Sequence, residues 1–405
     1  MELTTIKAAG PFLAERCTRC GECFVRCPYL ELGREEAVEE IGRLIAGEPT
    51  RAVMQKCVSC AACDAFCPEG VRPYSLILGR WDLRYRERGL PARAAYMLPY
   101  TTHNYRQDMV AQMDPREREL LERWREEPDA EEMLYPGCNI LTMPRLFDLP
   151  ALASLPVAGD WSLCCGEPYY RLGAFEVMEK IARALTDYFA GRKIRKMVFV
   201  CPACLNMFRT ILPERFGARF DFECEYLVPW LLRRLDSGEL RVTRPLGRTV
   251  TIHDSCHGRT LGDEIMEPTR ELLKRLGLFI VNPPRHHQDG ICCGIAAGCN
   301  RQMPQDMVRV GKRALKEGLS TGLSEIAIYC TGCYLHLGMV QHLGRAPIKL
   351  VHLLEYLGEA TAAPVPRVLE SRTRSMLYNV ITKPLTLMLS RRRYKVGDIK
   401  AGSGG

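Results

Sequence analysis

Short apolar runs alternate with amphipathic stretches over the C-terminal two thirds of the chain. Four of these runs lead directly into a cysteine, in the segments EEMLYPGC, KMVFVCPAC, RTVTIHDSC and EIAIYCTGC. Runs of this length are typical of buried strands, whereas GAFEVMEKIARALTDYFA, EPTRELLKRLG and DMVRVGKRALKEG repeat their apolar residues at helical spacing. Because strands that alternate with helices form parallel sheets, the pattern predicts an α/β architecture for this part of the chain.

The N-terminal quarter has a different pattern, in which one amphipathic segment separates two cysteine-rich stretches. In this segment, GREEAVEEIGRLIAG, the residues Ala37, Ile41, Leu44 and Ile45 recur at helical spacing. Residues 81–130 are rich in charge and predict a solvated helical connector to the α/β part.

Composition indicates a soluble protein with two or three domains. The chain has 405 residues, of which 47% are hydrophobic and 26% charged. We find no signal-peptide pattern and no apolar run of the roughly 18 residues that a spanning helix needs. The net charge of +8 comes from 56 basic residues interleaved with 48 acidic ones, without an aromatic-basic stripe, so we expect no nucleic-acid binding. A cytoplasmic protein is the expectation.

Twenty cysteines are the informative feature of the composition. In a reducing cytosol, cysteine indicates metal binding or catalysis rather than disulfide bonds. Two stretches, CTRCGECFVRCP and CVSCAACDAFCP, share the spacing C-x2-C-x2-C-x3-C-P. This spacing is similar to that of bacterial ferredoxins, where the fourth cysteine of each run ligates the other cluster.

The first two predicted 4Fe–4S clusters are cubanes, each with four cysteine ligands. One has the ligands Cys17, Cys20, Cys23 and Cys67, and the other has Cys57, Cys60, Cys63 and Cys27. A pair of zinc knuckles is the alternative, but zinc sites usually use two separated C-x2-C pairs.

Ten further cysteines form two sets of five with nearly the same spacing. We call these the first set and the second set. The first set is Cys138, Cys164, Cys165, Cys201 and Cys204, and the second set is Cys256, Cys292, Cys293, Cys330 and Cys333. The gap from the adjacent pair to the C-x2-C is 35 residues in the first set and 36 in the second, which indicates an internal duplication.

The predicted strands place each set at one site. Ligands of open parallel sheets collect beyond the carboxyl ends of the strands, and the C-x2-C pairs, Cys138 and Cys256 all follow predicted strands. A permissive glycine, Gly166 or Gly294, releases each adjacent pair from regular structure. Two structural zinc sites are the alternative, and they would leave one thiol over in each set.

The pattern C…CCG…C-x2-C resembles the cysteine-rich CCG domain of heterodisulfide reductase catalytic subunits. A bicluster ferredoxin followed by two CCG domains is similar to the D-type subunit over residues 10–360. The resemblance implies that each complete set holds a noncubane 4Fe–4S cluster and that a disulfide is reduced there.

This resemblance implies a fold of an N-terminal helical bicluster ferredoxin domain and two tandem CCG domains, each a small parallel sheet flanked by helices. The expected divisions are a ferredoxin domain at 1–90, a charged helical connector at 91–130, CCG domains at 131–246 and 247–360, and a basic tail at 361–405.

For catalysis we expect the second set, with Cys292 and Cys293 at the reacting centre. His253 and His257 flank Cys256, and histidine titrates in the range that suits a proton donor for the released thiols. Cys224 and Cys299 belong to neither set and are predicted to be buried free cysteines.

The implied role is that of a subunit in a larger redox complex, with electrons entering from a membrane cytochrome b or a soluble flavoprotein. The alternative function is a pure relay between a flavin dehydrogenase of the hydroxy-acid or acyl-CoA type and quinone or a membrane cytochrome. The segment 376–395 is apolar and ends in arginines, so it predicts contact with a partner subunit or with the membrane surface. Pro384 is predicted to interrupt a helix there.

Overall fold

The computed structural model describes the backbone of residues 10–101, 104–126, 130–300, 303–344, 347–388, 392–395 and 398–399. The side chain of Cys299, for which we predicted a buried free cysteine, lies outside the described residues.

Short helices and loops form the N-terminal region. Its α-helices are Glu22–Val25, Arg34–Ala46, Val53–Lys56, Ala62–Phe66 and Pro73–Arg88. The helix Arg34–Ala46 buries Ala37, Ile41 and Leu44, which confirms the prediction from the apolar spacing. Its buried Glu40 accepts the backbone N–H groups of Arg51, Ala52 and Val53 at 2.7–2.9 Å. Three charge-assisted hydrogen bonds therefore fix the start of the helix that leads into Cys57.

A helical segment connects this region to the first sheet. It contains the two-residue strand β1, Leu90–Pro91, and the helices Ala92–Met97, Tyr105–Ala111 and Pro115–Glu126. Helices are present, as predicted, and most charged side chains of Pro115–Glu126 are exposed to solvent, but the segment also has a buried face. Leu120, Leu121 and Trp124 are buried, and Arg106 is 4% exposed. Apolar and buried charged residues at helical spacing hold this segment against the rest of the chain.

The first sheet has three parallel strands in the order β2–β3–β4. They are β2 Glu132–Tyr135, β3 Lys196–Phe199 and β4 Glu223–Tyr226. Its α-helices are Glu167–Leu172, Phe175–Phe189, Pro202–Asn206, Leu212–Phe216 and Leu227–Asp236, with a π-helical turn at Met207–Ile211.

The second sheet has four parallel strands in the order β6–β5–β7–β8. They are β5 Arg248–His253, β6 Leu278–Val281, β7 Glu325–Ile328 and β8 Lys349–His352. Its α-helices are Cys256–Leu261, Asp263–Arg275, Ile295–Asn300, Pro304–Leu319, Thr331–Gly344 and Leu353–Ala360. Parallel sheets flanked by helices are thus present, as the alternation of apolar runs predicted.

The two sheets differ by one edge strand. In the second sheet, the helix Asp263–Arg275 and β6 lie between Cys256 and the adjacent cysteine pair. The first sheet has only a single parallel bridge at that edge, between Leu134 and Val157, within residues 130–300, whose backbone is described throughout. This explains why 25 residues separate Cys138 from Cys164, whereas 35 separate Cys256 from Cys292.

The C-terminal region packs on the chain itself. The helix Leu369–Met388 runs through residue 384, so the prediction that Pro384 interrupts it is wrong. Proline destabilises a helix because it removes one hydrogen bond and adds strain. The tertiary contacts of this helix outweigh that destabilisation. One of these contacts is an ion pair between Arg372 and Glu117, whose side chains are 6% and 2% exposed. Arg393–Tyr394 forms β9, which pairs antiparallel with β1. Among the described residues, no helix is long and apolar enough to cross a bilayer.

The glycine after each adjacent cysteine pair adopts a left-handed backbone conformation. Gly166 has φ +77° and Gly294 has φ +104°. A Cβ on Gly294 would lie 2.8 Å from the carbonyl oxygen of Met307 and 3.0 Å from the backbone nitrogen of Gly311. Both the turn and the close backbone approach therefore require glycine at this position.

We expect Gly294→Ala to lower the midpoint of anaerobic thermal unfolding more than Gly322→Ala does. Gly322 also has a positive φ, +77°, but nothing lies within 4 Å of an added Cβ. Gly322→Ala should therefore lower the free energy of unfolding only by the strain of an alanine in the left-handed conformation, about 1–2 kcal/mol. Equal midpoints for the two variants would show that the contact with Met307 imposes no constraint.

Candidate iron–sulfur centres

The eight cysteines of the N-terminal motifs lie in two neighbouring groups. Burial raises the pKa of Cys23, and the charges of Cys67, Cys17 and Cys20 raise it further, so these four thiols lie together. In the other group, burial and the nearby Cys60 raise the pKa of Cys27 to about 11. Cys63 has Cys57, Cys23 and Cys60 as neighbours. Thiols of one motif therefore lie near thiols of the other, with Cys67 close to Cys23 and Cys60 close to Cys27.

The two sets of five thiols form one continuous buried series. Each thiol in this series contacts the next, and the Sγ atoms of Cys165 and Cys204 are 3.6 Å apart. The order is Cys138, Cys164, Cys165, Cys204, Cys201, Cys330, Cys333, Cys293, Cys292 and Cys256. The sets meet where Cys201 contacts Cys330, so the first cysteine of each C-x2-C lies at the boundary.

The strands explain this arrangement. Cys201 and Cys330 follow the carboxyl ends of β3 and β7, and Cys138 and Cys256 follow those of β2 and β5. The carboxyl ends of the two sheets therefore face the same series of thiols. Cys138 is the only one of the ten that is not fully buried.

Three thiols in the series have lowered pKa values, and hydrogen bonds from Cys204 and Cys330 lower that of Cys201. Hydrogen bonds from Cys164 and Cys204 lower the pKa of Cys165 to about 6, and those from Cys292 and Cys333 lower the pKa of Cys293 to about 5. A thiolate that accepts two hydrogen bonds is stabilised in its charged form. The second cysteine of each adjacent pair is therefore suited to be a metal ligand.

A buried arginine lies at each end of the series. At one end, Arg106 hydrogen-bonds Cys138, and its guanidinium stacks on Tyr105 at 4.5 Å from the ring centre. At the other end, Nη2 of Arg171 lies 3.0 Å from Sγ of Cys256. Both arginines are 4% exposed. Burial alone lowers the pKa of each, but the neighbouring thiolates raise it, so both remain cations.

The N-terminal region contacts the Cys256 end of this series, and Arg171 makes part of that contact. The guanidinium of Arg171 donates to the carbonyl oxygen of Ser59. In return, the Ser59 hydroxyl donates to the carbonyl oxygen of Arg171 at 2.9 Å. Ser59 lies between Cys57 and Cys60 of the second motif.

Arg259 and Tyr29 complete this junction. Arg259 is 2% exposed, and its guanidinium donates to the carbonyl oxygen of Cys60 at 2.8 Å and to that of Gly290. The Tyr29 hydroxyl donates to the carbonyl oxygen of Cys292 at 3.2 Å. The N-terminal thiols at Cys60 therefore lie next to the second set.

The two predicted catalytic histidines lie at the second set but in different surroundings. His253 has a ring nitrogen within 4.8 Å of the sulfur atoms of Cys293 and Cys333. Its Nε2 has no partner among the described residues, and burial lowers its pKa. His257 is held by polar groups: its Nε2 lies 2.9 Å from Oε1 of Glu167 and 2.7 Å from Nη2 of Arg171.

Several residues of this site carry no sequence signal. Arg106, Arg171 and Arg259 are three arginines among 56 basic residues, and nothing in their local sequence marks them. Cys224 lies on β4, outside both sets, and is half-buried against the hydrophobic core. None of the nineteen cysteines whose side chains the structure describes forms a disulfide bond.

The donor set fits iron–sulfur clusters. Thiolate sulfur is the usual protein ligand of such clusters, and the structure groups eighteen buried or half-buried thiols close to one another. Buried cations beside the thiols offset the negative charge that thiolate ligation concentrates in the interior.

Comparison with known families agrees with this chemistry. The sequence matches the 4Fe–4S dicluster domain family over residues 13–71. It also matches the cysteine-rich CCG domain family over residues 148–209 and 250–338. The chain therefore holds iron–sulfur clusters, and the two family matches fall on its two kinds of cysteine motif.

Curated relatives belong to redox complexes. The chain is 21% identical over 389 residues to the D subunit of the dihydromethanophenazine:CoB–CoM heterodisulfide reductase of Methanosarcina barkeri, with 85% of this chain and 93% of that protein covered. It is 23% identical over 374 residues to the B subunit of the fumarate reductase (CoM/CoB) of Methanothermobacter marburgensis, covering 85% and 72%. It is 22% identical over 351 residues to the EtfAB:quinone oxidoreductase of Syntrophomonas wolfei, covering 70% and 48%.

We expect Arg171→Gln to lower the reduction potential of the cluster nearest to Cys256. A nearby cation stabilises the more negative reduced state, and a unit charge about 5 Å away contributes about 3 kcal/mol at an effective dielectric constant of about 20, on the order of 100 mV for one electron. Redox titration followed by electron paramagnetic resonance measures the shift.

Two further variants make this titration specific. Arg171→Lys keeps the charge and should retain most of the potential, and Arg209→Gln removes a surface arginine that pairs with Glu264. A potential in Arg171→Gln equal to that in Arg209→Gln would exclude an electrostatic role for Arg171.

Proposed function

We propose that this chain, a member of the family of iron–sulfur oxidoreductases with a CCG cysteine-rich domain, takes electrons from a partner protein and reduces a disulfide. The observation that carries the proposal is an unbroken series of contacts. It starts at Cys60 of the N-terminal region, continues through Arg259 and Arg171, and leads into the series of ten thiols. The similarity to a heterodisulfide reductase subunit over most of the chain supports it.

Four clusters occupy the chain in this proposal. Two cubane 4Fe–4S clusters have the ligand groups that we predicted from the motifs, and the closeness of Cys23 to Cys17, Cys20 and Cys67 supports this assignment. The first and second sets each hold a further 4Fe–4S cluster. Five thiols, two of them adjacent and one of that pair lowered in pKa, exceed the four that a cubane needs, which supports a noncubane geometry.

The clusters supply one-electron transfer when they are bound. Electrons enter at the N-terminal region and reach the second set before the first, because Ser59, Cys60 and Tyr29 all contact the second set or the arginines beside it. Cleavage of R–S–S–R′ takes up two electrons and two protons and releases RSH and R′SH. The electrons come from the reduced partner, a membrane cytochrome b or a soluble flavoprotein, and the protons come from water.

The histidines of the second set have distinct roles in this proposal. His253 passes a proton within the interior, because its unpartnered Nε2 belongs to a buried ring next to Cys293 and Cys333 among the described residues. His257 lies between a carboxylate and a guanidinium. Burial raises the pKa of Glu167, but Arg171 and His257 outweigh this and lower it to about 2, so the carboxylate stays charged and fixes the position of the His257 ring.

The relatives also suggest the partners and the cellular location of this chain. Relatives are subunits of redox complexes, so this chain works with a subunit that supplies its electrons. We place it at the cytoplasmic side, where a membrane-bound partner could reach it.

The proposal predicts that the anaerobically purified, iron-replete chain oxidises reduced viologen when organic disulfides are present. Cys293→Ala should abolish this turnover, because it removes a thiolate at the centre of the second set, while the spectra of the N-terminal clusters persist. Cys224→Ala, which removes a thiol outside both sets, should leave the rate unchanged.

The relay function has its own expected result. If the wild-type chain contains its full iron but oxidises viologen with no disulfide, while it does so with a quinone or a partner flavoprotein, the chain is an electron relay without disulfide chemistry. The similarity to an EtfAB:quinone oxidoreductase is the observation that favours this second function.

A further inference from the structure

Two strands end in equivalent residues beside the boundary between the two sets of thiols. The last residue of β3 lies opposite Tyr226, which is the last residue of β4. In the second sheet, the last residue of β7 lies opposite His352, which is the last residue of β8. In both sheets the first cysteine of the C-x2-C, Cys201 or Cys330, follows two residues after the central strand. Tyr226 and His352 therefore occupy the same position in the two copies.

Each of these two residues lies close to a thiol of the other copy. Burial lowers the pKa of His352, and the charge of Cys201 opposes this by raising it. Burial raises the pKa of Tyr226, and the charge of Cys330, followed by that of Cys201, raises it further. The imidazole of the second copy is thus near a thiol of the first, and the phenol of the first copy is near a thiol of the second.

Both side chains have a buried polar atom without a hydrogen-bond partner. These atoms are Nε2 of His352 and the hydroxyl of Tyr226, within the part of the chain that the structure describes. The two residues are 1% and 4% exposed. The hydroxyl of Thr269 lies near that of Tyr226, but it donates to the carbonyl oxygen of Ile265 at 2.6 Å. Because buried polar atoms are nearly always hydrogen-bonded, we expect a group held by the thiols to be the partner of each.

The contacts of His352 determine which ring nitrogen carries the proton. Its Nδ1 accepts the backbone N–H of Leu354 at 3.2 Å, and the proton of a neutral imidazole lies on the nitrogen that does not accept. Its backbone N–H donates to Oε2 of Glu355 at 2.7 Å, and its ring centre lies 5.3 Å from that of Tyr334. The Nε2–H group of His352 is therefore a donor with a fixed position.

Helix capping alone does not account for this histidine. His352 is the N-cap of the helix Leu353–Ala360, and its Nδ1 takes the place of the side-chain oxygen that most N-caps supply. An asparagine could cap the helix without a second ring nitrogen in the interior. A buried donor without a partner is unfavourable, so the second nitrogen indicates a role beyond the cap.

We propose that His352 and Tyr226 donate hydrogen bonds across the boundary between the two copies, His352 to the sulfur atoms of the cluster at Cys201 and Tyr226 to those of the cluster at Cys330. Neither residue is a ligand. Each raises the reduction potential of the cluster in the other copy, because a hydrogen-bond donor stabilises the more negative reduced state. The inference rests on the proposed presence of a cluster in each set, and it does not depend on the reaction that the clusters serve.

Redox titration of the anaerobically purified, iron-replete chain, followed by electron paramagnetic resonance, tests this inference. His352→Asn keeps an acceptor for the N–H of Leu354 and removes the Nε2–H donor. At a fixed potential it should lower the ratio of reduced to oxidised first-set cluster about tenfold, which equals a shift of about 59 mV for one electron. The midpoint of its thermal unfolding should stay close to that of the wild-type chain. Tyr226→Phe should lower the potential of the second-set cluster instead.

Three further variants make the titration specific to these donors and to each set. Loss of a signal in Cys138→Ala assigns it to the first set, and loss in Cys256→Ala assigns it to the second. His352→Gln places an amide N–H near the position of Nε2 but removes the cap, so it should retain the potential and lower the midpoint of unfolding.

Tyr356→Phe is the matched control for Tyr226→Phe. Tyr356 is also buried, but its hydroxyl donates to Oε1 of Glu325 at 2.9 Å. Glu325 is the first residue of β7, at the end of the strand opposite the thiols. This control should leave both potentials unchanged.

The possible results separate this inference from the proposed presence of the clusters. A lower potential at the first set in His352→Asn and at the second set in Tyr226→Phe supports the inference. Unchanged potentials in both variants, in a chain with iron for all four clusters, overturn it and leave the clusters in place. A His352→Asn variant that loses only thermal stability shows a capping role and overturns it as well. Iron for only the N-terminal clusters in the wild-type chain overturns the proposed presence of clusters in the sets, and the inference with it.

Discussion

Concentrated negative charge in the protein interior is the constraint on which the other features of this molecule depend. Ten thiols form one buried series, and thiolate ligation gives that series several negative charges in a medium of low dielectric constant. Surface cations are too far away and too well screened to offset this charge. The chain therefore buries Arg106, Arg171 and Arg259 next to the cysteines. Because Arg171 and Arg259 also donate to backbone carbonyl groups of the N-terminal region, charge compensation and domain packing at the Cys256 end are the same set of contacts.

Duplication explains the symmetry of the series, and divergence explains its two different ends. His253 comes three residues before Cys256, as Tyr135 comes three residues before Cys138. His257 follows Cys256 directly, as Asn139 follows Cys138. In the first copy, Asn139 accepts a hydrogen bond from Tyr105 at 2.9 Å, and the Tyr135 hydroxyl donates to the carbonyl oxygen of Leu163. At these two positions, the second copy has imidazole rings, while the first copy has a phenol and an amide.

Short-range patterns in the sequence predicted the helices and strands that depend on neighbouring residues. The spacing of Ala37, Ile41 and Leu44 was enough to place a helix, and the apolar runs before Cys201 and Cys330 were enough to place strands that end at the thiols. The contact between Cys201 and Cys330 could not be predicted, because it depends on how two separate sheets pack together. The buried arginines could not be predicted for the same reason. The helix through residue 384 shows the converse, since tertiary packing there overrides the local effect of proline.

The two ends of the series differ in the parts of the chain that lie against them. At the Cys256 end, Ser59, Cys60 and Tyr29 contact the thiols or their arginines, so this end is closed to a small molecule and continuous with the N-terminal thiols. At the Cys138 end, the shorter segment before Cys164 contains no counterpart of β6 within residues 130–300, and a cavity of about 840 Å³ lies between this segment and the helices of residues 92–111. Between the ends, contact between successive thiols leaves no gap of ordinary protein for an electron to cross. The second set is therefore the one that adjoins the N-terminal cysteines, and the first set is the one that adjoins the cavity.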